Sequence, residues 1–190
     1  MPHSSRATTQ SDWATEVLHF WFEELGKAHW FAKSGHIDAQ ISERFLSLHE
    51  RLVVDDGLDG TMRRPLLAAV IVLDQFSRNL FRDTPRAYAA DPMARRLARS
   101  AIAQGFDDAM TAEERLFLYL PFEHSEDRAD QALAVELITR LDNAEWTRDA
   151  IAHRAIIDRF GRFPHRNAIL NRHSSADEVA LLQYYPEAWF

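Results

Sequence analysis

The chain has 190 residues, enough for one domain with a sizeable core, and its 46% hydrophobic and 27% charged residues exclude a disordered chain. A net charge of −7 argues against a general nucleic-acid binder, which needs a surplus of Lys and Arg to displace counterions. The lack of cysteine excludes disulfides, thiolate nucleophiles and Cys-ligated metals. With no apolar leader and no apolar run longer than residues 66–73, the sequence reads as a cytoplasmic protein without a membrane segment.

Residues 1–10 are small and polar without periodicity and read as a flexible arm, which leaves 11–190 as a single domain. Asp12 is placed to cap a first helix carrying Trp13, Val17, Leu18, Phe20, Trp21 and Phe22, ended by Gly26. Trp30 and Phe31 fall in a connector and are expected to tuck into the core. From His36 onward, Ile37, Ile41, Phe45, Leu48 and Leu52 recur at helical spacing until Asp55-Asp56-Gly57. A helix from Thr61 to about Leu80 follows, with Pro65 near its first turn; residues 66–73 are apolar all round, which marks it as the buried central helix.

Asp91-Pro92 reads as an N-cap with proline at the first helical position, opening a helix that ends at Gly105. Thr111 and Glu114 form a capping box for a helix that Pro121 is expected to end or kink. Ser125 is read as the cap of the next helix, with Glu126 and Asp127 in its first turn and Leu133, Leu137 and Leu141 on its buried side. A helix from about Glu145 to Phe160, with Ile151, Ala155 and Ile156 inward, stops at Gly161 ahead of Pro164. Ser175 and Glu178 cap a last helix through Leu181 and Leu182, and the aromatic end, residues 184–190, is expected to dock on the body or on a partner. No stretch alternates with period two, so the fold expected is all-α, a single domain of about seven to nine antiparallel helices.

Candidate chemistry centres on an internal near-repeat. Asp74-Gln75-Phe76-Ser77-Arg78 through Arg82 matches Asp158-Arg159-Phe160-Gly161-Arg162 through Arg166 in the pattern D-x-F-x-R-x-x-x-R, 84 residues later. Each copy puts an arginine four residues after an aspartate, beside a helix end. On one reading Asp74 and Asp158 neutralise Arg78 and Arg162 in structural pairs. On the other, Arg78 and Arg162 lie close together and, with Arg82, Arg166, His124 and His165, hold a carboxylate or phosphate by forked hydrogen bonds. His124, Glu126, Asp127, His153 and His165 are ligand types for zinc, iron or manganese, but their spacing fits no metal motif, and neither a metal nor another cofactor is expected. No G-x-S-x-G turn, Walker loop or dinucleotide fingerprint occurs, so enzymatic activity is left open.

The segments LDQFSRNLFR (73–82), FLYLPFEHSEDRADQ (117–131) and DRFGRFPHRN (158–167) together resemble the bacterial family catalogued as domain of unknown function 924 (DUF924), over nearly the whole chain. The resemblance implies a tetratricopeptide-like helical fold and no particular reaction. Ser77 departs from it, since proline is expected in the LDQFPRN-type motif, and this leaves the end of that helix unsettled. Two functions follow: an Arg/His-lined pocket for a small anionic ligand, or a tetratricopeptide-like scaffold for a peptide or protein partner in which the Arg, Asp and His motifs are structural. The oligomeric state is not legible in the sequence.

Overall fold

A computed structural model describes residues 13–54 and 62–184. Asp12, Asp55 to Thr61 and the chain after Tyr184 lie outside these residues, and with them the expected first cap, the Gly57 stop and the aromatic end. Every regular element among the described residues is helical. No described helix is long and apolar enough to cross a membrane.

The first helix, α1 (13–19), passes into a π-helical segment, Phe20–Leu25, which stops at Gly26 in a positive-φ conformation. The helix α2 (Gly35–Val54) buries the predicted stripe Ile37, Ile41, Phe45, Leu48 and Leu52. The central rod is α3 (Arg63–Ile71), a π-helical segment Val72–Phe76 and α4 (Ser77–Leu80). Every residue from Pro65 to Ser77 is buried, as expected of a stretch apolar around its whole circumference. Ser77 does not end the rod: its hydroxyl donates to the Leu73 carbonyl at 2.6 Å and the chain stays helical to Leu80.

A short α5 (Arg86–Ala89) leads into α6 (Asp91–Ala103), which packs against α3 through a face that includes Ala94, Leu97, Ala98 and Ala101. Small side chains there let the two helices approach closely. Then come α7 (Ala112–Glu123), α8 (Arg128–Thr139), α9 (Ala144–Phe160) and α10 (Ala176–Tyr184), α8 packing against both α7 and α9. The aromatic centre of the core joins the π-helical segment after α1, α2, the rod and α7 through Phe20, Trp21, Phe45, Phe76 and Phe117.

Both predicted capping boxes form, Thr111 with Glu114 and Ser175 with Glu178. Several other local readings give way to tertiary contacts. Ala90, not Asp91, is the N-cap of α6, because the Asp91 carboxylate is turned to Arg78. Pro121 sits inside α7, which runs on to Glu123; burial of Phe117, Leu118, Leu120 and Phe122 on both sides of the ring holds the helix in line. Asp127 caps α8 through the amides of Ala129 and Asp130, while Ser125 donates to Asp130. In α9 the inward residues are Ala150 and Ile157, with Ile151 52% exposed and Ala155 exposed as well. The hydrophobic pattern set that phase wrongly because a polar residue, His153, belongs to the inward face.

Ile71 lies at zero exposure in the rod. We predict that Ile71→Asp yields no folded protein, since an unpaired charge there has no partner. A cooperative thermal transition and native-like far-UV circular dichroism for that variant would contradict the placement of the central helix.

Candidate functional site

The π-helical segment of the rod carries a carboxylate into the core. π turns, whose backbone bonds span five residues, concentrate at functional sites, and this one holds Asp74 at zero exposure. Burial alone drives a carboxyl group upward in pKa; here Arg78 and His124, with hydrogen bonds from His124 and Gln75, outweigh it and hold Asp74 below the usual carboxylate range. Arg78 Nη1 lies 3.0 Å from Asp74 Oδ1 and donates to the Asp74 carbonyl at 2.6 Å. The same guanidinium reaches Asp91 at 3.2 and 3.3 Å. Both carboxylates overcome the effect of burial on Arg78 and raise its pKa.

His124 is the C-cap of α7, and its Nδ1 is 2.9 Å from each Asp74 oxygen. An ionised carboxylate only accepts, so Nδ1 carries the proton and the lone pair is on Nε2. Burial, opposed by Asp74 and reinforced by Arg78, lowers the His124 pKa, so the ring is neutral near pH 7. His153 on α9 repeats the arrangement in uncharged form. Its Nδ1 is 2.9 Å from the Asp149 carbonyl and 3.1 Å from Glu123 Oε1. Burial pushes Glu123 up to about 8, with Asp149 and Asp74 adding to it, and pushes His153 down to about 4. The pair is therefore a contact between neutral groups at pH 7, not an ion pair.

Arg166 comes from the turn after α9. Gly161 ends that helix at φ 70°, Phe163 is buried, and a 3-10 turn Pro164–Arg166 follows. Glu126 clamps this segment, accepting from the Phe163 amide at 2.8 Å and from Arg172 at 2.7 and 3.0 Å. The Arg166 guanidinium stacks on Tyr88 at 4.5 Å and Phe163 at 4.6 Å. Its ion pair with Asp91 is long, 3.7 Å, and its Nε has no hydrogen-bond partner among the described residues although Arg166 is only 6% exposed. Burial, then Arg78, lowers its pKa to about 10, so it stays charged at pH 7.

Arg78, Tyr88, His124, His153 and Arg166 line one cavity of about 470 Å³, together with Gln75, Arg82, His165 and an apolar side that includes Trp30, Phe31 and Ile169. Trp30 is buried as expected, with Nε1 donating to the Trp21 carbonyl at 2.8 Å. Phe31 is not: it is 58% exposed and lines the cavity. The wall carries the cations Lys33, Arg78, Arg82 and Arg166 against one carboxylate, Asp83. Asp38, Asp74 and Asp91, which pair with Arg82 and Arg78, are not part of the wall. His165 is driven down to about 2 by burial and then by Arg166, so near pH 7 it adds no charge.

Five of the residues singled out in the sequence, Arg78, Arg82, His124, His165 and Arg166, thus meet in one cavity. Arg162 does not join them. It donates to Glu178 at 2.7 and 2.8 Å and to the His173 carbonyl at 2.7 Å, tying the cap of α10 to the end of α9. Asp158 is no partner of Arg162; it is exposed and pairs with Arg154 at 3.4 Å. The two copies of D-x-F-x-R differ because one continues as helix through Ser77 and the other breaks at a left-handed Gly161. Asp91, Tyr88 and Gln75 were missed as site residues. The Asp91-Pro92 cap signal concealed the first, and nothing local marked the others.

Ser77 and His49, 2.7 Å apart, are not a nucleophile and its base. The serine gives its proton to Leu73 and therefore accepts from His49 Nε2, the reverse of the polarity that catalysis needs. No group of three or more His, Asp or Glu among the described residues is arranged to hold a metal ion.

The family model described as a bacterial protein of unknown function, DUF924, matches residues 17–185. The chain belongs to the DUF924 family. A solved structure of a protein of unknown function, ATU0120 from Agrobacterium tumefaciens, is 38% identical, with a TM-score of 0.85 over 92% of this chain and 99% of that one. No curated protein matches.

Glu123 gives a test of the site's electrostatics. Its folded pKa lies above its ordinary value, so between about pH 4.5 and 8 the folded chain keeps a proton that the unfolded chain releases. Stability from this group is full below that window and falls by about 1.4 kcal/mol per pH unit across it. We predict that Glu123→Gln flattens the decline in urea midpoint from pH 5 to 8 and is the more stable form at pH 8. Equal slopes in the two proteins would mean that Glu123 is ionised in the fold.

Proposed function

We propose that this cavity binds a small organic anion, a carboxylate or phosphate carried on an apolar body. The observation that supports the reading most is Arg166, a guanidinium on the cavity wall whose ion pair with Asp91 is long, 3.7 Å. An anion in the cavity supplies the close partner that Asp91, already shared with Arg78, does not. Cations facing the cavity and balancing carboxylates behind them favour the same sign of ligand. The volume is in the range of small-molecule sites, and the apolar side with Trp30, Phe31 and Ile169 fits a hydrophobic body.

The tetratricopeptide-like scaffold reading asks for recognition residues spread along a groove. Convergence of the motif residues on one cavity favours the small ligand. The setting we infer is the cytoplasm, on the absence of cysteine.

Benzoate and phenyl phosphate are suitable probes. Each is expected to raise the melting temperature saturably, since a ligand of the native state stabilises it by mass action. Arg166→Gln is expected to abolish that rise while changing stability by no more than about 1 kcal/mol, because the variant removes a buried and poorly paired charge. Arg78→Gln leaves Asp74 and Asp91 without their shared cation and is expected to cost about 3–5 kcal/mol. Undiminished anion protection in Arg166→Gln would remove this site.

A further inference from the structure

We propose that His124 is a catalytic base that activates water against an ester-type bond in the anion held by Arg78 and Arg166, with Asp74 as its positioning residue. The inference rests on the anion-binding reading of the cavity. Its own support is the geometry of the imidazole. Asp74 engages Nδ1 with both oxygens at 2.9 Å, which sets the tautomer and leaves Nε2 as the ring nitrogen with a lone pair, on a side chain that lines the cavity. A histidine that serves only to close a helix junction needs no carboxylate brought from the centre of the core. Asp74 is itself held in place by Gln75 at 2.6 Å and Arg78 at 3.0 Å, so the carboxylate cannot follow the ring, and turning the ring breaks both Nδ1 contacts. A base oriented by a second-rank carboxylate, beside fixed cations, is the arrangement that proton transfer in acyl chemistry requires.

Water is the economical partner for this base. Phe31 and Lys33 on the cavity wall are exposed to solvent, and hydrolysis needs no further reactant. Nε2 takes a proton from water as the water oxygen bonds to the acyl carbon. The carbon–oxygen bond to the alcohol then breaks, its electron pair leaves on the alkoxide, and the alkoxide takes the proton back from Nε2. The products are an acid and an alcohol, and the imidazolium formed between the two proton transfers is neutralised by Asp74. The groups that set the base's protonation are Asp74 and Arg78 on the rod and Asp91 on α6, and the neighbouring imidazoles coupled to it are His153 on α9 and His165 in the turn after it. Burial keeps His124 neutral, so the lone pair is available at pH 7.

The test uses mono-4-nitrophenyl succinate, an activated ester with a free carboxylate, and calorimetric titration of benzoate. Wild-type protein is expected to release 4-nitrophenolate saturably, with benzoate as a competitor. The rate should rise with pH through a midpoint below about 6.5, the ordinary histidine value. His124→Gln is expected to lose ~10²-fold or more in kcat while still binding benzoate, as loss of a general base requires. Asp74→Asn should lower kcat with little change in KM; if that variant fails to fold, His124→Gln decides alone. Benzoate binding with phenolate release that does not saturate, or that is unchanged in His124→Gln, overturns the base and leaves the binding site standing. Failure of both benzoate and the ester to bind removes the ligand reading and the base with it.

Discussion

A carboxylate at zero exposure in the middle of an apolar helix is the constraint on which the rest of this structure turns. An isolated ion there is far too costly to keep, so Asp74 exists as a charge only because its surroundings are built to hold it. Arg78 supplies the counter-charge from the next turn, and Gln75 and His124 supply hydrogen bonds. Arg78 has more donors than Asp74 can use, and it draws Asp91 inward from the first turn of α6. Asp91 in turn faces Arg166. One buried charge therefore links the central rod, α6, the end of α7 and the turn after α9, which are far apart in sequence.

The same network explains the character of the cavity. Its carboxylates stand behind its arginines, so the wall is cationic although the region as a whole is close to balanced. Three imidazoles share that wall, and burial lowers the pKa of each, with neighbouring arginines contributing in the same direction. The result is a set of fixed positive groups beside uncharged nitrogen bases. The positive character of the wall therefore does not depend on histidine protonation, and Asp83, the wall carboxylate among the described residues, lies outside the buried network.

The internal repeat shows how little a shared pattern says about shared roles. In the first copy the aspartate and arginine are one turn apart on an uninterrupted helix, and they pair. In the second the glycine between them takes a left-handed conformation, the helix ends, and the arginine swings to the cap of α10, where Glu178 is held down to about 2 by its hydrogen bonds. The last arginine of the second copy, Arg166, is the one that reaches the first copy's network.

The helical class, the buried rod at residues 66–73, the stripe of α2, both capping boxes and the stops at Gly26, Gly105 and Gly161 are legible in the order of residues alone. These are local properties, set by period, side-chain volume and backbone freedom within a turn or two. Arg78, Arg82, His124, His165 and Arg166 stood out for the same reason, as polar residues beside helix ends. Which of them meet depends on how the helices pack. The placement of Asp91 on Arg78 instead of on its own helix, the inward turn of His153 toward Glu123 and the departure of Arg162 to Glu178 all depend on partners 13 or more residues away. Charged and polar side chains choose those partners by the need to neutralise what the core has buried, and that need is not written in any one segment.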